Sequence, residues 1–192
     1  VSNGNIASED FNWTYDGTSP TMTITAAGVT TGNRTNNTTL TMTFTASEAT
    51  TDFSANDISV ANGTISAFSK TSSTVYTAIF TPASEAACTI QVLADKFTDP
   101  VANQNNASAV FNWTYDVTEP TMTITSTTTG VTDGSTTNDA TIALTFTSSE
   151  ATTTFTSDDI AVNNGTLSAF NGTSSTVYTA TFTPSGDGAC TI

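Results

Sequence analysis

The sequence predicts an all-β protein made of tandem copies of one small sandwich module, the second copy incomplete within the chain. Three observations carry that reading. FNWTYD occurs twice, as Phe11–Asp16 and Phe111–Asp116, followed by PTMTIT at Pro20–Thr25 and again at Pro120–Thr125. A fixed period of this kind sets the architecture before any local reading. Apolar and polar residues alternate with period two through nearly every segment, as half-buried strands require. Finally, 47 of the 192 residues are Thr, a β-branched residue that suits the solvent face of a strand.

The repeat fixes the module boundaries. Ser47–Thr51 returns as Ser149–Thr153, Ser72–Ala78 as Ser174–Ala180, and Ala87–Ile90 as Ala189–Ile192. The offset grows from 100 to 102 between Thr125 and Thr141, in a stretch rich in Gly, Thr and Asn, so the two extra residues belong to a loop. Val1–Asp10 aligns with Val101–Val110, and Ile192 aligns with Ile90. Residues 1–16 thus read as the orphan last strand of a preceding module, 17–116 as module 1, and 117–192 as module 2 without its final strand.

The strands follow in order. Thr21–Thr25 turns Met22 and Ile24 inward, and Thr39–Thr45 turns Leu40, Met42 and Phe44 inward. A short strand after Phe53 carries Ile58 and Val60; Gly63 marks a turn, with Ile65 and Phe68 beyond it. Thr74–Thr81 buries Tyr76, Ala78 and Phe80, and Ala87–Ala94 buries Cys88, Ile90 and Val92. Val110–Tyr115 closes the module with Phe111, Trp113 and Tyr115 on one face. No segment has a helical period. Seven short strands separated by turn signals argue an immunoglobulin-like sandwich. One Cys per module, Cys88 and Cys190, cannot bridge within its module, and both read as small buried residues.

Composition removes several function classes. The net charge is −14, with Arg34, Lys70 and Lys96 the only basic side chains. Phosphate backbones and anionic membranes recruit clustered Lys and Arg, so neither nucleic acid nor a membrane surface is a partner. No apolar run is long enough to span a bilayer. The chain has no His, which removes the commonest general base. No phosphate loop, CxxC or nucleophile-elbow motif occurs. The adjacent Asp158 and Asp159 would point to opposite faces of a strand. These features argue against an enzyme. Outward Thr rows such as Thr39, Thr41, Thr43 and Thr45 are ordinary strand surface rather than a flat ice-binding array.

The ordered set PTMTIT, TFTASEATTDF (43–53), NDISVANGTIS (56–66), STVYTAIFTP (73–82) and FTDPVANQN (97–105) resembles the bacterial immunoglobulin-like (Big-type) tandem repeats of large surface adhesin and filament proteins. It covers all of copy one and most of copy two. The resemblance implies an extracellular or cell-surface stalk or filament that needs no cofactor for its role. The alternative is an adhesin segment that binds a glycan or a protein on another surface.

Related repeats bind Ca²⁺ at module junctions, so the resemblance also implies a cation site. In such a sandwich the start of the first strand and two loops share one end. Here they hold Asp16, Glu48, Asp99 and Asn103, and in copy two Asp116 and Glu150. Hard oxygen ligands converging there suit Ca²⁺. Asn-x-Ser/Thr sequons begin at Asn12, Asn33, Asn36, Asn37, Asn62, Asn106, Asn112, Asn164 and Asn171, each an acceptor for N-glycosylation where the host performs it.

The sharpest expectation concerns the ends. Phe11, Trp13 and Tyr15 have no module of their own, and module 2 has no final strand. Either Val1–Asp16 of one copy completes module 2 of the next by strand addition, or the modules are covalently continuous. Both give the same head-to-tail self-association.

Overall fold

The computed structural model describes residues 1–192. It divides into two compact units, Val1–Val117 and Thr118–Ile192. Each is described by itself.

Unit 1 contains β1 (Met22–Ala26), β2 (Arg34–Thr35), β3 (Leu40–Ala46), β4 (Ile58–Ala61), β5 (Gly63–Lys70), β6 (Val75–Pro82), β7 (Ala86–Val92) and β8 (Phe111–Tyr115). They form two four-stranded sheets, β1-β3-β6-β5 and β2-β8-β7-β4. Alternation dictates the inward faces: β3 shows strict in–out burial, with Leu40, Met42 and Phe44 at 2% exposure or less. Cross-strand partners then share a face, as with Phe44 opposite Tyr76 and Met42 opposite Ala78. Burying each large apolar side chain contributes roughly 1.5–3 kcal/mol, so this shared face holds the sandwich together.

Phe53 is the hub between the sheets. Its ring lies 5.1–5.8 Å from those of Phe44, Phe68, Tyr76 and Phe97, within the range of favourable aromatic pairs.

Four details depart from the sequence reading. The strand β2 pairs in parallel with β8 and was not foreseen, because two residues have no readable period. A one-turn 3-10 helix at Ala55–Asp57 follows Ser54, whose amide and hydroxyl both donate to Asp57. Its counterpart, Ser157–Asp159, contains Asp158 and Asp159, which therefore do not lie on a strand. The turn read at Gly63 is made by Asn62, at φ 54°. Gly63 itself opens β5, where a Cβ would sit 2.2 Å from the Phe80 ring.

Unit 2 contains β9 (Met122–Ser126), β10 (Ile142–Ser148), β11 (Gly165–Gly172) and β12 (Val177–Pro184) in one sheet of order β11-β12-β10-β9. This repeats the first sheet of unit 1 strand for strand. The second sheet is represented only by an isolated bridge, Asn163 to Thr191. Phe155 still meets Phe146, Phe170 and Tyr178, but it is only half-buried.

Candidate functional site: an acidic loop cluster and an unpaired aromatic strand

The β7–β8 loop of unit 1 is organised by a residue the sequence did not flag. Asn105 is buried, and its amide oxygen accepts from the amides of Lys96 and Phe97 at 2.7 and 2.9 Å. Its Nδ2 donates to the carbonyls of Leu93 and Asn106, both at 2.8 Å. A buried amide satisfied in this way rigidifies the loop around it. Its only advance signal was an Asn in a long loop, which is too common to single out. The Asn106 amide then donates to the carbonyl of Pro20 at 2.9 Å, which ties this loop to the start of β1.

On that scaffold Asp16, Glu48 and Asp99 converge, with one carboxylate oxygen from each within 4.8 Å of the others. Asn103 joins them: its Nδ2 donates to Asp99 at 2.8 Å and to the Asp16 carbonyl at 3.2 Å. Asp99 is buried and also accepts from the amides of Val101 and Asn103. Burial pushes its carboxyl up, but these bonds outweigh burial and hold it below the usual carboxylate range. Glu48 is pushed up, by burial first and then by the negative charges of Asp16 and Asp99. Four of the sequence-predicted ligands therefore meet at one place.

Asp116 and Glu150 have other surroundings. Asp116 pairs with Arg34 of β2, and its amide donates to the Thr35 carbonyl. The pair locks β8 beside β2. Position 136, the copy-two counterpart of Arg34, is Thr, so this lock has no equivalent there. Glu150 follows β10, and its amide donates to the Ser148 hydroxyl.

The sequons divide by environment. Asn12, Asn33, Asn36, Asn37, Asn106 and Asn171 are exposed, and Asn112 is half-buried on β8. Asn62 and Asn164 are half-buried. Their Nδ2 groups are committed to the carbonyls of Ser84 and Gly186, so modification would break those bonds.

The two copies of the aromatic strand differ sharply. In β8, Phe111 and Trp113 are 7% and 2% exposed, and Tyr115 packs against the core. Phe11, Trp13 and Tyr15 are 86%, 76% and 87% exposed. Even so, the Phe11 and Trp13 ring centroids lie 5.7 Å apart, the same as Phe111 and Trp113. Unit 2 is exposed where unit 1 is covered: Met122 and Ile124 are 37% and 42% exposed, against 4% and 9% for Met22 and Ile24. Cys88 is buried as expected, but Cys190 is exposed, because β8 covers Cys88 and nothing in unit 2 covers Cys190.

No helix is long and apolar enough to cross a membrane. No curated protein and no solved structure matches the chain. The sequence pattern of the bacterial Ig-like domain matches residues 16–115 and again 116–191. Domains of this kind are commonly surface-exposed, and they are typically structural or adhesive rather than enzymatic. With two all-β units and two matches spanning nearly its whole length, the chain belongs to the bacterial Ig-like domain family.

Proposed function

We propose that the chain is a structural repeat of an extracellular stalk or filament. Its modules join head to tail, with Val1–Asp16 completing module 2 of the next copy as a donor strand or as a covalently continuous chain. One observation carries this reading: the same six residues, FNWTYD, are the buried closing strand of module 1 and an exposed segment at residues 11–16. Repeated modules of this kind supply length and spacing. A heterologous, repeating contact grows an open array rather than a closed ring. The test is imaging of the native surface with antibodies against module 1. Label along surface projections is expected; label confined to the cytoplasm, or a monomeric product that binds a glycan array, would favour another role.

The proposal includes a Ca²⁺ ion held by Asp16, Glu48 and Asp99. The support is chemical: three carboxylates share one place, and Asp99 is oriented there by Asn103 and backbone amides. When bound, a hard cation would relieve the mutual repulsion of these groups and stiffen the β1 entry. Calcium should raise the melting midpoint of module 1 over that in EDTA, and Asp99→Asn should abolish the rise. An unchanged midpoint in the unsubstituted protein counts against the ion.

A further inference from the structure

An asparagine followed by glycine can react with its own backbone, because glycine leaves the next amide nitrogen open to close approach. The chain has four such pairs, beginning at Asn3, Asn62, Asn164 and Asn171. Asn3 stands in exposed backbone without regular structure. The other three all read Asn-Gly-Thr, yet the fold treats them differently. The Asn62 side chain is held at both ends. Its Nδ2 donates to the Ser84 carbonyl at 2.8 Å, and its Oδ1 accepts from the Ser84 hydroxyl at 2.8 Å. Asn164 keeps the first contact, to the Gly186 carbonyl at 3.1 Å, but Gly186 has no hydroxyl to supply the second. Asn171 is exposed, and its side chain has no hydrogen-bond partner.

The neighbour of Asn171 is also placed for reaction. Gly172 is the last residue of β11, an outer strand of its sheet. The Thr173 amide donates to the Val177 carbonyl at 2.9 Å. Hydrogen bonds in an antiparallel pair fall on alternate residues, so the Gly172 amide points away from β12 to the open edge. Bringing the Asn171 side chain onto that nitrogen needs only the end of an outer strand to fray, and such ends open at low free energy. In unit 1 the same two places on the strand hold Ser69 and Lys70, which cannot react in this way.

From this we infer that Asn171–Gly172 is a site of spontaneous covalent modification, at which the asparagine becomes aspartate or isoaspartate with water as co-reactant. The Gly172 nitrogen gives its proton to a solvent base and attacks Cγ of Asn171. The new C–N bond closes a five-membered succinimide ring, the Cγ–Nδ2 bond breaks, and ammonia leaves. Water then opens the ring at either carbonyl. Opening at Cγ leaves aspartate, and opening at the main-chain carbonyl leaves isoaspartate, whose backbone is one carbon longer. Nothing is oxidised or reduced. Either product adds a negative charge to a chain whose net charge is already −14. Isoaspartate also shifts Gly172 from its place opposite Tyr178.

The experiment holds the folded 192-residue chain at mildly alkaline pH and follows it by peptide mapping, which reads the four pairs separately. Asn171 should convert about tenfold or more faster than Asn62, with Asn164 between them, because each hydrogen bond that must first break is worth close to one factor of ten in rate. Both aspartate and isoaspartate should form at position 171. Gly172→Lys, which installs the unit 1 residue, should slow conversion by on the order of tenfold, since a side chain then hinders the attacking nitrogen. In urea the rates at Asn62, Asn164 and Asn171 should converge. Equal rates at Asn171 and Asn62 in the folded chain overturn the inference. So does aspartate without isoaspartate, which would mean direct hydrolysis, or an unchanged rate in Gly172→Lys. A ranking that survives in urea overturns it too, because the fold would then not be what selects the site.

Discussion

Single residues in this molecule are constrained by what they touch. Gly63 and Gly165 show this most plainly: a Cβ there would lie 2.2 and 2.1 Å from the rings of Phe80 and Phe182. Gly63→Ala forces the buried Phe80 ring to shift, and an overpacked core of this kind costs about 1–3 kcal/mol. The check is a urea titration of module 1, with a lowered midpoint expected. Asp52 acts through charge. Burial raises its carboxyl pKa, but hydrogen bonds from the Thr50 hydroxyl and from the Thr98 amide and hydroxyl outweigh burial and hold it below its usual value. A depressed folded pKa gives stability that is present above the unfolded pKa and lost as pH falls through the folded one. The stability gap between the native protein and Asp52→Asn should therefore shrink as pH falls below the usual carboxylate range and through the lowered folded pKa of Asp52. At neutral pH it should be no more than ~1 kcal/mol, because Asp52 is exposed and solvent screens it. Denaturant melts of both proteins from neutral to acid pH measure it.

At the scale of elements, β8 decides whether a module is closed. It lies between β2 and β7, brings Phe111 and Trp113 into the core, and is tethered by Asp116 to Arg34. The Trp113 indole N–H has no hydrogen-bond acceptor. Its ring packs edge-on against Phe80 at 4.6 Å, and the strand is held by apolar burial. Trp113→Ala should destabilise module 1 by about 3–5 kcal/mol, and Cys88, directly opposite, should become reactive to thiol reagents. An unreactive Cys88 in that variant would show that β8 closes the module without its central ring. Here the sequence was informative: three aromatics at period two identified both the strand and its buried face. The short strand β2 was illegible because its two residues are strand only through the neighbour they pair with. The one-turn helices left a trace in Ser54–Asp57 and Thr156–Asp159, a four-residue capping signature that the surrounding β pattern masked.

For the whole molecule, the two units share a sequence pattern and differ in the strands they contain, two four-stranded sheets in unit 1 and one among residues 118–192. Eighteen buried residues make the core of unit 1 and six that of unit 2, so unit 2 should be the less stable. Hydrogen exchange should show amides of 118–192 exchanging through openings of lower free energy than those of β3 and β6. Equal protection in the two units would contradict this.

The sequence by itself determined the all-β class, the repeat, most strands and their inward faces. It did so because side-chain alternation and tandem identity are local, countable signals. It also placed the four residues of the acidic cluster at one end of the sandwich. Only the tertiary structure decided which acids meet. Asp16 and Asp116 end identical hexapeptides, yet one faces Glu48 and Asp99 and the other pairs with Arg34. Likewise Cys88 and Cys190 occupy the same place in the repeat, and one is buried and the other exposed. Burial and charge pairing depend on the neighbour a strand receives, and in this chain identical strands receive different neighbours.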